Sequence, residues 1–123
     1  MENTNFPSEV SQLGWAKSLT GLTACSADDM VFGRAYVLKD FSLIGEFIPG
    51  SILVTEQTSP ECILAMENAV AVVTERGGIL CHAAIVSRDM NIPCIVGVRE
   101  LLDNIKTGDE IGLCTKTSRI FFK

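Results

Sequence analysis

Two short apolar segments on either side of a helical stretch constrain the fold of this chain more than any other feature. Ala69–Thr74 is a continuous apolar run of strand length, and Ile92–Val96 is a second one. Between them, Ala83–Met90 has the spacing of a helix. Uninterrupted apolar runs are typical of strands that are buried on both faces, as in parallel sheets. The order strand, helix, strand therefore predicts an α/β domain.

Further strands flank this unit. Val31–Leu38 is rich in β-forming residues and predicts a strand, with a possible bulge at Gly33. Ser51–Thr55 predicts a short strand, and Ile111–Cys114 with Arg119–Phe122 predicts a hairpin. We therefore expect a mixed sheet as the core of the domain, accompanied by short helices.

One of the short helices is predicted to begin near Ser59. Ser59 would be its N-cap, with Pro60 in the first turn. The expected apolar face of this helix consists of Ile63, Leu64 and Met66.

Length and charge narrow the class of protein. The chain has 123 residues, 47% of them hydrophobic, and a net charge of −5 with both signs interspersed. This argues for one domain, with residues 1–20 as an extension or linker, and against a nucleic-acid surface, which needs a clustered basic face. No apolar run approaches the ~20 residues that span a bilayer, and the first residues do not resemble a secretory signal. We expect a cytoplasmic protein that does not contact a membrane.

The five cysteines, Cys25, Cys62, Cys81, Cys94 and Cys114, are odd in number and form no CxxC pair. This argues against a disulfide framework and against a metal site. Cysteine is expected here mainly as a small apolar residue in a reducing compartment.

His82 is the only histidine of the chain and stands where the helix should begin. Backbone N–H groups at a helix N-terminus favour negative charge, so the imidazole there should be neutral. A neutral ring nitrogen is a nucleophile towards phosphorus. We therefore take His82 as the candidate catalytic residue. A capping or surface histidine is the alternative, and spacing alone does not decide between them.

The residues before and after His82 predict an open approach for phosphate or substrate. Gly77 and Gly78 leave space in the preceding loop, while Cys81 and Ala83 flank the histidine with small side chains.

Residues 74–97, TERGGILCHAAIVSRDMNIPCIVG, resemble the signature of the mobile domain of the phosphoenolpyruvate (PEP)-utilising enzymes. The glycine pair, the histidine four positions later and the following small residues carry the resemblance. Pro49–Val54 is similar to the family's PGDILV strand, and the likeness extends from about Gly21 to the last residue. The family includes PEP synthase, pyruvate phosphate dikinase and rifampicin phosphotransferase.

The resemblance implies a swivelling β/β/α fold for residues 21–123 and a phosphocarrier function. It implies that His82 takes a phosphoryl group from ATP, bound with Mg²⁺ on an ATP-grasp domain or subunit. The group would then pass to pyruvate, PEP or another acceptor on a second partner. No cofactor is expected on this chain itself, and the isolated chain should not complete the reaction.

Several positions depart from the family pattern. Leu80 replaces a threonine that a regulatory kinase modifies in the dikinases, whereas Cys81 resembles the PEP synthase branch. Residues 25–28 and 115–118 also differ from the family's usual loops.

Other functions are also compatible with the sequence. The chain could be the phosphohistidine component of an ATP-dependent ligase, or a regulatory module without phosphotransfer. An enzyme based on the Cys81 thiol is a further alternative. Arg88 lies six positions after His82, about 240° around the helix. It therefore need not touch the phosphate, and it is a candidate for a structural salt bridge.

Overall fold

A computed structural model describes residues 6–123 of the chain. Its strands are β1 Lys17–Thr20, β2 Leu22–Cys25, β3 Val31–Leu38, β4 Ile52–Thr55, β5 Ala71–Thr74, β6 Cys94–Val96, β7 Glu110–Cys114 and β8 Arg119–Phe122. Its α-helices are α1 Ser8–Gln12, α2 Ile63–Glu67, α3 His82–Met90 and α4 Leu101–Asn104, and 3₁₀ turns span Phe41–Glu46 and Pro60–Cys62.

The eight strands form one mixed sheet in the order β1-β8-β7-β3-β4-β5-β6-β2. The four central strands β3, β4, β5 and β6 are parallel, and the flanking strands join them in antiparallel pairs. The predicted α/β class, with a mixed sheet as core and short helices, is confirmed.

The side chains of β4 and β5 alternate between two apolar clusters. Ile52 and Val73 belong to the cluster that contains α4, whereas Leu53 and Val72 belong to the cluster that contains α3. Both faces of these strands are covered, which explains why their sequences are apolar without interruption. Helix α3 packs against the sheet through Ala83 and Ala84.

The predicted bulge at Gly33 is wrong. Residues 31–34 pair with β7 in continuous register. A Cβ atom at Gly33 would lie 3.1 Å from the Ile52 side chain and 3.4 Å from Val70, so close packing accounts for the glycine. The register shift occurs instead in β2, between Thr23 and Cys25.

The helix predicted after Ser59 begins as a 3₁₀ turn and continues as α2, but two details differ. The Ser59 hydroxyl makes no capping hydrogen bond and donates to the Glu61 carboxylate at 3.2 Å. Leu64 is 72% exposed, whereas Met66 is fully buried. The short α2 turns Met66 to the sheet and Leu64 to solvent.

The sheet also includes part of the predicted extension. Residues 17–20 form β1, which pairs with β8, and Val10 and Trp15 pack against Phe121. Residues 1–5 lie outside the described part of the chain, and the boundary at residue 20 stays a prediction. No helix among residues 6–123 has the length and apolar composition needed to cross a membrane.

The two neighbouring apolar residues of α2 should differ sharply in their contribution to stability. Met66→Ala leaves a cavity in the core, so we expect the free energy of unfolding to fall by about 2–4 kcal/mol. Leu64→Ala, on the exposed face of the same helix, should change it by less than about 0.5 kcal/mol. Urea unfolding of both variants measures the difference. Equal losses would contradict the orientation of α2.

Candidate active site

Two loops that follow neighbouring parallel strands build the site. Strands β4 and β5 run in register, with Thr55 opposite Thr74, so their carboxyl ends meet at one edge of the sheet. The Glu75 and Arg76 amides donate to the carbonyls of Thr55 and Glu56 at 3.0 and 2.9 Å, which continues the pairing beyond the strands. The loop after β4 carries Thr58, and the loop after β5 leads into α3.

His82 is the first residue of α3, and Thr58 contacts its ring. The Thr58 hydroxyl lies 2.8 Å from Nδ1 of His82, and Thr58 is only 8% exposed. If Nδ1 carries the ring proton and donates it to this hydroxyl, Nε2 has a free lone pair. Within residues 6–123, Nε2 has no hydrogen-bond partner. The pair is compatible with the tautomer in which Nε2 is the nucleophile.

The first turn of α3 has no side-chain cap. Cys81 occupies the N-cap position in an extended conformation, and its side chain accepts no hydrogen bond from the helix amides. Serine, threonine, asparagine or aspartate usually supply that acceptor. The backbone N–H groups in the first turn therefore have no side-chain acceptor and can donate to an anion. The helix dipole also favours negative charge at this end.

Gly77 has a backbone conformation that other residues adopt only with strain. Its φ is +113°, and a Cβ atom there would lie 2.7 Å from the sulfur of Cys81. Gly97 adopts a φ of +67°, and a Cβ atom there would lie 2.9 Å from the Gly77 carbonyl. The loop in front of His82 therefore packs closely on the end of β6.

Gly78 has no such requirement. Its φ lies outside the left-handed region, and a Cβ atom would meet nothing within 4 Å. The described part of the chain gives no internal reason for glycine at this position.

A pocket of about 190 Å³ adjoins the His82 ring. Of the residues proposed from the sequence, His82, Gly77, Cys81 and Ala83 line it, and Gly78 lies outside the lining. Sequence reasoning missed the remaining lining residues, which are Gln57, Thr58, Thr74 and Arg76. The available signal was a polar segment directly after the predicted strand at residues 51–55. In the structure β4 and β5 are parallel neighbours that end at the same edge, and this brings that segment to the loop before His82.

A larger cleft of about 670 Å³ lies beside this pocket, and Gln57 lines both. Its lining includes the carboxylates of Asp40, Glu56, Glu75 and Asp103 but only one cation, Lys39. Such a surface repels phosphate. The smaller pocket, with its uncapped helix start, is the better site for a phosphoryl group.

Cys81 lines the pocket, whereas Cys94 is fully buried. All five cysteines are free thiols, and burial raises the pKa of the Cys94 thiol to about 12, which keeps it protonated. Residues 6–123 contain no group of three or more His, Cys, Asp or Glu side chains arranged to hold a metal ion.

Among residues 6–123, Arg88 has no acidic partner for the salt bridge that the sequence suggested. Its guanidinium donates to two backbone carbonyls, of Ile79 at 2.7 Å and of Ala24 at 3.4 Å. The ion pair near the site joins Arg76 and Glu56 at 2.8 Å and is largely exposed. A surface pair of this kind adds little stability.

Comparison with known proteins agrees with this geometry. The family described as "PEP-utilising enzyme, mobile domain" matches residues 47–117, and the chain belongs to this family. The PEP synthase of Synechocystis sp. is 45% identical over 82 residues, which cover 67% of the chain and 10% of the relative. The PEP synthase of Pyrococcus furiosus is 49% identical over 76 residues, covering 62% of the chain and 9% of the relative. The chain thus spans about a tenth of the length of these curated relatives.

Solved structures share the fold at low sequence identity. Aconitase X of Thermococcus kodakaraensis has a TM-score of 0.65 and 16% identity, over 88% of this chain and 99% of that one. An Enzyme I structure has a TM-score of 0.56 and 20% identity, over 65% of this chain and 33% of that one.

The two adjacent glycines should respond differently to a side chain. Gly77→Ala places a Cβ atom against Cys81 in a left-handed conformation, so the free energy of unfolding should fall by about 1 kcal/mol or more. Gly78→Ala should change it by less than about 0.5 kcal/mol. Thermal and urea unfolding of both variants test this. A destabilised Gly78→Ala would mean that the loop has a different conformation.

Proposed function

We propose that this chain is the phosphocarrier domain of a PEP synthase-type enzyme, with Nε2 of His82 as the atom that carries the phosphoryl group. The observation that supports this most directly is the 2.8 Å contact between Thr58 and Nδ1 of His82, which leaves Nε2 without a partner among residues 6–123. Membership of the mobile domain family and the likeness to PEP synthases support it independently.

The proposed transfer uses each part of the site. The Nε2 lone pair attacks phosphorus, and the bond from phosphorus to the leaving oxygen breaks with its electron pair on that oxygen. The Thr58 hydroxyl oxygen accepts a hydrogen bond from the Nδ1–H group, and this bond stabilises the positive charge that develops on the ring. The amides of the first turn of α3 face the phosphoryl oxygens. In the return step, the acceptor oxygen attacks phosphorus and the Nε2–P bond breaks.

The donor and acceptor belong to partners in this proposal. ATP and Mg²⁺ would be held by an ATP-grasp domain or subunit, and pyruvate or a similar acceptor by another. The side chains of Ile79, Leu80 and Ile85, close to His82 in sequence, are 57%, 78% and 52% exposed. Exposed apolar side chains at such a position are suited to contact with a partner protein. A cytoplasmic location remains a prediction.

A small phosphoryl donor tests the carrier function without a partner. Incubation with potassium phosphoramidate should attach one acid-labile phosphate to the chain, at Nε2 of His82. Thr58→Val should slow the reaction by on the order of tenfold, because the ring loses the hydrogen bond that fixes its tautomer and orientation. Thr58→Ser, which retains a hydroxyl, should restore most of the rate. Intact mass and ³¹P NMR measure the product.

His82→Ala is the control for the site of modification, since it removes the only histidine. A phosphate retained by this variant would refute the proposal. ATP with Mg²⁺ alone should leave the isolated chain unmodified and should not be hydrolysed. Turnover of ATP that follows the chain through further purification would contradict the assignment of the nucleotide to a partner.

Gly78 should matter only when a large donor approaches His82. In the enzyme that contains this chain, Gly78→Ala should slow ATP-dependent phosphorylation by on the order of tenfold or more, because the added methyl group obstructs the partner. The phosphoramidate reaction should keep its rate. Gly45→Ala is a matched control, because Gly45 likewise has an ordinary φ and open space around its Cβ position. Equal ATP-dependent rates for both variants would exclude a role for Gly78 in access.

A further inference from the structure

Arg88 lies near the C-terminal end of α3, but its guanidinium reaches the loop in front of the helix. Nη2 donates to the Ile79 carbonyl at 2.7 Å. Ile79 belongs to the segment 75–81, which leads from β5 to His82. Within residues 6–123, this is the only hydrogen bond that reaches residue 79 or 80. The Cys81 amide donates to the Gly78 carbonyl at 3.1 Å and closes a turn over residues 79 and 80, and Arg88 supplies the bond that ties this turn to α3.

The same guanidinium also contacts the irregular part of β2. Residues 22, 23 and 25 pair with β6, whereas Ala24 has no partner residue there. A residue left unpaired in this way turns its backbone groups out of the ladder. Nη1 of Arg88 lies 3.4 Å from the Ala24 carbonyl. The planar guanidinium of Arg88, with several N–H donors, thus connects the loop, the helix and an edge strand. The ammonium group of a lysine has fewer donors and no fixed plane, so it is less suited to this arrangement.

We infer that Arg88 is a positioning residue for His82: through the Ile79 carbonyl it holds the loop that ends at Cys81, and so fixes where α3 begins and where its first amides point. The inference rests on the proposed phosphocarrier function for its effect on rate. Cys81 and Gly77 line the pocket and belong to the same loop, so a displaced loop changes both the pocket wall and the helix start. A salt bridge or a general stabilising role does not predict this local effect.

The experiment compares three variants of the chain. Arg88→Met removes the donors and keeps an apolar stem, and Arg88→Lys keeps the charge without the fork. Arg99→Met is the control, because it makes the same change of charge at an exposed arginine that has no hydrogen bond or ion pair within residues 6–123. We measure the phosphoramidate rate per folded molecule, the backbone amide NMR signals of residues 79–83, and the ring signals of the single histidine.

Arg88→Met should react on the order of tenfold more slowly than the wild type, and the amide signals of residues 79–83 should shift or broaden. Arg88→Lys should recover part of the rate, and Arg99→Met should match the wild type. Lost stability with a normal rate per folded molecule would overturn the inference, as would a slow reaction with unchanged loop signals. If the wild type itself gains no phosphate, the proposed function fails, and the NMR comparison still decides whether Arg88 holds the loop. If Arg88→Met does not fold, Arg88→Lys provides the same comparison.

Discussion

The parallel pairing of β4 with β5 is the constraint on which the site depends. It brings the ends of the two strands together, so Thr58 in the loop after β4 and His82 at the start of α3 come within hydrogen-bond distance. The 2.8 Å contact between Thr58 and His82 is the result. The same pairing requires both strands to be apolar on both faces, because α3 covers one side of the sheet and α4 the other. The packing of the core and the orientation of the imidazole thus have one origin.

The loop in front of His82 combines two kinds of glycine and one distant arginine. Gly77 is required by its own backbone, since it has a left-handed φ and lies against Cys81. Gly78 has no requirement of that kind, since a Cβ atom there would meet nothing within 4 Å. Arg88 adds a hydrogen bond to the Ile79 carbonyl, beside the bond that the loop itself makes from the Cys81 amide to the Gly78 carbonyl. Together they allow a loop that is held in place and still leaves His82 accessible.

The fold by itself does not determine the chemistry. Proteins with different functions share this architecture at about 16–20% identity, and aconitase X is one of them. The chemistry depends on the arrangement at the site: a histidine on an uncapped helix start, a hydroxyl on one ring nitrogen and no partner on the other within residues 6–123. The cleft next to it is larger, but its carboxylates are unsuitable for phosphate.

The sequence alone was enough to predict the central strands, helix α3 and the place of His82 at its start. Those features are local, because apolar runs, helical spacing and a glycine pair each involve residues that are close together in the sequence. Thr58 was not predicted, because its role arises only when a segment 24 positions away is placed beside His82 by strand pairing. The bonds of Arg88, the reason for Gly33 and the exposure of Leu64 depend in the same way on neighbours distant in sequence. Periodicity identifies which residues form an element, but tertiary packing decides which side chains of different elements meet.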